Sequence, residues 1–311
     1  MSDRVTVTCR RVVLALALLM SGFGAHAGLR EGVFAYENRM YTIAFKELEP
    51  LAMSGEKQAQ YYLGLMYDYG RGVDNNYHAA AGWYRKAAEQ GDALAQVNLG
   101  FMYGRGLGVR QDFAKAIEWY EKAAEQGDAD GQYNLGWMYD YGHGVQQDYQ
   151  QAATWYRKAA ELGQAKAQHN LGWMYSTGQG VEQDYQQSMK WYLKAAGLGH
   201  SQAQFNLGWM YDKGHGVQQD IHLAMKWYAK AAEQGHAVAQ FNLGLIYASN
   251  QELPVDLIQA CKWFTLASYA HYDKGRIFME EFEKVMSSEQ VYKANVQARE
   301  MLAKRKLVAM Y

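Results

Sequence analysis

Residues 128–163 read DADGQYNLGWMYDYGHGVQQDYQQAATWYRKAAELG, and this stretch decides the fold. Its proline-free first part places Gly131, Leu135, Met138 and Tyr139 at i, i+4, i+7 and i+8, one face of a helix over 129–141. Gly142 and Gly144 end that helix, because glycine readily takes the positive φ needed past a C-terminus, and Val145 is an apolar plug for the turn. Asp148 is a natural N-cap for a second helix, with Gln151 at the capping-box position. That helix runs to about Leu162 and is expected to bury Ala152, Trp155, Tyr156, Ala159 and Ala160, with Gly163 closing it.

The same pattern recurs outward in both directions. Leu-Gly-x-Met/Ile-Tyr begins at Leu63, Leu99, Leu135, Leu171, Leu207 and Leu243, each copy 36 residues after the last. A tryptophan followed by an aromatic keeps phase at Trp83, Trp119, Trp155, Trp191, Trp227 and Trp263. So does a capping residue at Asn76, Asp112, Asp148, Asp184, Asp220 and Asp256. Three motifs in register over six copies make a repeat array, so a domain count from length does not apply. The composition follows. The chain has 31 Gly and 2 Pro in 311 residues, because glycine is the punctuation that ends the helices.

Asn-Leu-Gly-Trp-Met-Tyr, Gly-x-Gly-Val, the Asp cap, Trp-Tyr-x-Lys-Ala-Ala and the closing Gly together resemble the Sel-one-like repeat family, a branch of the tetratricopeptide-like superfamily. The resemblance covers 56–271 as six repeats, with a partial repeat or cap over 28–55, in which Tyr41 and Gly55 keep phase with Tyr77 and Gly91. It implies an all-α fold, a right-handed α/α superhelical solenoid whose first helices line a concave groove. It also implies a scaffold or adaptor for other proteins. The sixth repeat departs from the pattern, with Asn250 and Glu252 in place of the turn glycines and Pro254 after them. Residues 272–311 lose the period; helices over 272–286 and 288–306, the latter opened by a Ser287-x-x-Gln290 capping box, are expected to cover the open end, followed by a frayed tail.

The N-terminus carries Arg4, Arg10 and Arg11, an apolar run over 12–20, and Ala25-His26-Ala27. Those are the three regions of a cleaved signal peptide, 1–27, with an apolar run too short to span a bilayer. A periplasmic or secreted mature chain is therefore expected, with net charge −3 (28 Lys+Arg minus 31 Asp+Glu). A charge so near balance does not select nucleic acid. Of Cys9 and Cys261, only the second survives cleavage, so no intrachain disulfide forms, and its phase with Ala81, Ile117 and Met189 makes it a core residue.

Positions of the first helix that leave the core face carry any binding chemistry. One row reads Tyr61, Val97, Tyr133, His169, Phe205, Phe241, and another, four residues on, Leu65, Phe101, Trp137, Trp173, Trp209, Leu245. The two rows form an aromatic ladder on the groove side. Asn98, Asn134, Asn170, Asn206 and Asn242 run beside it, able to bond an extended peptide backbone or their own repeat. A variable polar row, Asp68, Asp140, Ser176 and Asp212, is expected to tune specificity. The candidate partner-binding residues are thus Tyr133, Asn134, Trp137, His169, Asn170, Trp173, Phe205, Asn206 and Trp209. The expected partner is a protein or peptide, with a cell-envelope polysaccharide or peptidoglycan as the alternative, since indoles stack on sugars as well.

Catalysis is not expected, nor is a metal or cofactor. His143 and His215 sit in equivalent turns without a carboxylate or cysteine cluster and read as solvated. Ser54-Gly55-Glu56-Lys57 matches the Ser-x-x-Lys of penicillin-recognising enzymes, but the Ser-Asp-Asn and Lys-Thr-Gly elements are missing.

Overall fold

The computed structural model of the protein describes residues 28–249 and 254–310. Residues 1–27, expected from the sequence to be a signal peptide, and the altered turn at Asn250–Glu252 lie outside the described residues. These residues form sixteen helices and no strand, and none of the helices is long and apolar enough to cross a membrane.

Two compact units divide after Gln147. The first holds α1 (28–37), α2 (Tyr41–Met53), α3 (Lys57–Tyr69), α4 (Tyr77–Glu89), α5 (Ala93–Arg105), α6 (Phe113–Glu125) and α7 (Ala129–Tyr141). The second holds α8 (Tyr149–Glu161), α9 (Ala165–Thr177), α10 (Tyr185–Gly197), α11 (Ser201–Lys213), α12 (Ile221–Glu233), α13 (Ala237–Ser249), α14 (Leu257–Tyr269), α15 (Asp273–Val285) and α16 (Ser288–Met310). Within each unit, successive helices pack on one another in chain order, and α16 returns onto α14.

Capping sets the boundaries. Asp148 accepts from the Gln150 and Gln151 N–H groups, and Asn76, Asp112, Asp184, Asp220 and Asp256 cap their helices in the same way. Gly142 is left-handed at φ 68° and ends α7. The second glycine of each turn has a different job. A Cβ on Gly144 would fall 2.7 Å from Phe113 Cβ, and one on Gly216 2.5 Å from Tyr185 Cβ, so the turn lies directly on the start of the preceding second helix.

The core is built from the aromatic after the tryptophan. Tyr84, Tyr156, Tyr228 and Phe264 have no exposed surface, and Tyr120 and Tyr192 almost none. The Tyr84, Tyr120, Tyr192, Tyr228 and Phe264 rings lie on the glycines of Leu-Gly. A Cβ on Gly172 would meet Tyr192 Cδ1 at 2.7 Å, and one on Gly208 would meet Tyr228 Cδ1 at 2.5 Å. The tryptophans themselves sit further out than expected. Trp191 and Trp263 are buried, but Trp83, Trp119, Trp155 and Trp227 are half-buried. A lysine ammonium lies 3.8–4.4 Å from all six ring centroids, as Lys158 does on Trp155 and Lys230 on Trp227. Each such cation–π contact contributes about 0.5–1 kcal/mol at an exposed site. The helix surface thus places the tryptophan at the core margin and its partner tyrosine inside.

A row of buried glutamines went unread in the sequence. In the first unit the Gln60 and Gln96 amides donate to the Ala52 and Ala88 carbonyls of the preceding helix, and they accept from Gln90 and Gln126. In the second, Gln204 donates to Ala196 and accepts from Gln234 at 2.7 Å. Gln168 donates to the Ala160 carbonyl, yet its Oε1 is buried without a partner, because Leu198 stands where the second glutamine would be. Leu198 is exposed. Leu198→Gln is therefore expected to stabilise the protein by about 1 kcal/mol, the net worth of a hydrogen bond to a buried acceptor. A thermal melt checks this, with a rise of roughly 2–4 °C expected.

The C-terminal helices close the array as their sequence suggests. Ser287 and Gln290 bond reciprocally at the start of α16. Phe278 and Phe282 pack on Phe264 with ring centroids 5.3 and 5.2 Å away. Helix α16 continues to Met310 instead of fraying after Lys306, and Arg305 donates to the Gln234 carbonyl at 3.1 Å. Cys261 is a free, fully buried thiol whose pKa burial raises, in the core position expected.

Candidate functional site

In the first unit, α3, α5 and α7 carry the ladder. Tyr61 is half-buried against Tyr62 and Tyr84, and burial, with Tyr62 and Asp92 beside it, pushes its phenol up to about 12. Phe101 is exposed. On α7, Tyr133, Asn134 and Trp137 are all half-buried. The Trp137 indole lies 4.7 Å from the His143 ring and 5.1 Å from Tyr141, and Phe113 stacks on His143 at 5.1 Å. His143 is therefore not a solvated turn residue. It is packed against the Phe113, Trp137 and Tyr141 rings.

The second unit repeats this once. The Trp209 indole stacks on His215 at 4.4 Å, and Tyr185 stacks on the same imidazole at 5.2 Å. Between these two repeats the turn residue is Gln179, and there Trp173 is exposed, with 40% of its surface open. The turn residue of Gly-x-Gly thus separates the three tryptophans, two of which carry an imidazole while Trp173 does not. The sequence signal was the ring at this otherwise variable position. The last rung is closed, because Phe241 is covered by Tyr272 and Phe278 at 5.3 and 5.2 Å.

His169, Asn170, Phe205 and Asn206 are brought together, but mostly by bonding one another. His169 Nδ1 donates to Asn170 Oδ1 at 3.1 Å, and its Nε2 accepts from Asn206 Nδ2 at 3.3 Å. Phe205 stacks on His236 at 4.6 Å. Asn206 also bonds the Tyr192 hydroxyl, and Asn242 bonds that of Tyr228. Asn206 and Asn242 thus reach back to the preceding repeat's buried tyrosine, while Asn170 and Asn206 also bond His169 and Gln202 within their own repeats. The variable polar row is partly used in the same way, since Asp68 accepts from Tyr84 at 3.1 Å and Asp212 from Tyr228 at 3.4 Å. Burial raises the Asp68 carboxyl above its usual range.

No arrangement for chemistry forms around Ser54. Its hydroxyl donates to the Leu51 carbonyl at 2.8 Å in an exposed turn. Among the described residues, no group of three or more His, Cys, Asp or Glu is placed to hold a metal.

A helix pair punctuated every 36 residues, with a tyrosine seated on the Leu-Gly glycine, is now a structural fact as well as a sequence one. The Sel1 repeat family model matches six consecutive segments, 57–92, 93–128, 129–164, 165–200, 201–236 and 237–272. The chain belongs to the Sel1 repeat family. Proteins built of Sel1 repeats are in general protein-interaction scaffolds. Among solved structures, it is similar to a protective antigen of uropathogenic Escherichia coli strains that displays an SLR fold. The identity there is 33%, over 95% of this chain and 67% of that one, with a TM-score of 0.78. It is also similar to a Sel1 repeat protein from Oxalobacter formigenes, at 34% identity over 77% of this chain and 96% of that one, with a TM-score of 0.70. Among curated proteins no match is found. The Sel1 array therefore carries the solenoid fold, and its function lies on whichever faces the packing leaves open.

Proposed function

We propose that this Sel1 repeat protein is an exported, non-catalytic scaffold that binds a polypeptide partner on the ladder face of its first helices. One observation carries the reading: Trp173 keeps 40% of its surface exposed on a helix whose other large apolar side chains are packed. An open indole between polar neighbours such as Ser176 and Thr177 has the make-up of an interface anchor, because tryptophan buries much area at small entropic cost. Trp137 and Trp209, with Tyr133 and Phe205, extend the apolar surface of their own repeats. Asn134, Asn170 and Asn206 contribute polar atoms beside the rings, Asn170 and Asn206 through the sites that their bonds to histidine and tyrosine leave.

Export rests on the basic, apolar and Ala-x-Ala segments of residues 1–27, and a relative described as a protective antigen supports a location beyond the cytoplasm. The chain is then organised as a signal peptide at 1–27, a partial repeat at 28–55, six repeats at 56–271 and capping helices to 311.

A photo-cross-linking residue at position 173 tests the site, with position 193 as its control. Leu193 is equally exposed but lies on a second helix, α10. A discrete polypeptide adduct is expected from position 173 and none from 193. Equal adducts from both positions contradict the site, and an adduct carrying only glycan contradicts the partner class.

A further inference from the structure

Three histidines of repeats four to six, His169, His200 and His236, share a feature apart from partner binding. Each ring offers one nitrogen as an acceptor. His200 stands at the N-cap of α11, where its Nδ1 accepts from the Ala203 N–H at 3.3 Å. His236 does the same before α13, accepting from the Ala239 N–H at 3.2 Å. Its Nε2 must then carry the proton, and donates to Gln202 Oε1 at 2.8 Å. Gln202 Nε2 donates in turn to Asn206 Oδ1, Asn206 Nδ2 to His169 Nε2, and His169 Nδ1 to Asn170 Oδ1. His169 also stacks on His200 with centroids 4.7 Å apart. One chain of hydrogen bonds therefore runs from the sixth repeat through the fifth to the fourth; in it His169 must be neutral to accept from Asn206, and the two caps need neutral His200 and His236.

We propose that this network is an acid-sensitive latch, which holds repeats four to six together when the histidines are neutral and loosens the starts of α11 and α13 when they take up protons. Protonating His200 or His236 replaces the capping acceptor with an N–H that faces the helix's own N–H groups. It also places a positive charge at the positive end of a helix. Protonating His169 sets an N–H against the Asn206 amide, and with His200 charged as well, two cations would be stacked. The groups around the rings offer little relief. Tyr192 lies 5.7 Å from His169, Lys166 adds a positive charge near His200, and the Arg305 guanidinium bonds the Gln234 carbonyl two residues before His236.

Burial acts in the same direction. It lowers all three imidazoles, His169 to about 4, with the neighbouring His200 as a further cause. A lowered pKa means that the unfolded chain binds protons first. The latch is then unaffected above the ordinary imidazole value of about 6.5, weakens as pH falls from there towards about 4, and changes no further below that. Repeats one to three have no imidazole at the same caps, where the Glu56, Asp92 and Asp128 carboxylates accept instead.

Hydrogen exchange on the full-length mature protein at pH 7 and pH 5, corrected for the intrinsic pH dependence of exchange, reads the latch directly. In the wild type, opening at the first turns of α11 and α13 is expected to rise roughly tenfold or more at pH 5, with the first turns of α3 and α5 unchanged. His200→Asp with His236→Asp, which installs the cap of the earlier repeats, is expected to remove most of that rise. Equal protection of the wild type at both pH values overturns the proposal, and so does a double variant that keeps the full response. The wild-type comparison alone is decisive should the variant fold poorly. Loss of a bound partner at acid pH would follow only if the function proposed above is right, whereas the opening itself does not depend on it.

Discussion

Tyr228→Ala is expected to lower stability by about 3–5 kcal/mol, the range for truncating a fully buried aromatic side chain. The ring has no exposed surface and lies face-on to Gly208, where there is no side chain to move in and fill the space. Around it are Ala224, Ala231 and Leu243, all themselves buried, so collapse of the cavity would require the helices to shift. Truncation also removes the hydroxyl that Asp212 and Asn242 bond, leaving two polar groups near the core margin without this partner. Tyr228→Phe separates the two contributions. It should cost only about 0.5–1.5 kcal/mol, the value of a hydrogen bond, because Phe264 fills the equivalent place in the next repeat with no exposed surface and no hydroxyl. Urea unfolding followed by circular dichroism measures both. In a repeat array stability is nearly a sum over neighbours, so the Ala variant should show an early transition from the repeats around α12 rather than a uniform shift. Equal effects of Ala and Phe would mean that the hydroxyl, not the seated ring, holds the repeats.

Most of the fold could be read from the chain because its signals repeat. A turn glycine, an Asp cap or a Leu-Gly pair seen six times in phase is legible without knowing what it touches. Side chains whose partners lie in another helix were harder to read. Trp83 and its counterparts looked like core from their conservation of phase, yet the buried ring is the tyrosine that follows, since only it points at the Leu-Gly glycine. The buried glutamines were in phase as well, at Gln60, Gln96, Gln132, Gln168, Gln204 and Gln240. Their meaning depends on a carbonyl eight residues back and a second glutamine thirty residues on. The candidate site suffered most. Nothing periodic announces that His143 and His215 stack on Trp137 and Trp209, because the turn position varies from Arg71 to Leu107 to Gln179. Nor does the sequence show that Asn206 is engaged by His169 and Tyr192 before any partner arrives.

The second large effect concerns binding. Trp173→Ala should weaken partner binding by about 30-fold or more, the cost of about 2 kcal/mol at an interface hot spot. It should lower stability only modestly, since 40% of the indole surface is already open to solvent. Adding Trp137→Ala and Trp209→Ala should abolish binding. It should also lower the melting temperature, because those two rings hold His143 and His215 in place.

The most direct measurement is therefore the affinity of the cross-linked polypeptide, once purified, for the wild type, for Trp173→Ala and for the triple variant, each with its helical circular dichroism recorded. The ladder account predicts a graded loss of affinity with the helical signal intact. Unchanged affinity in the folded triple variant would contradict it.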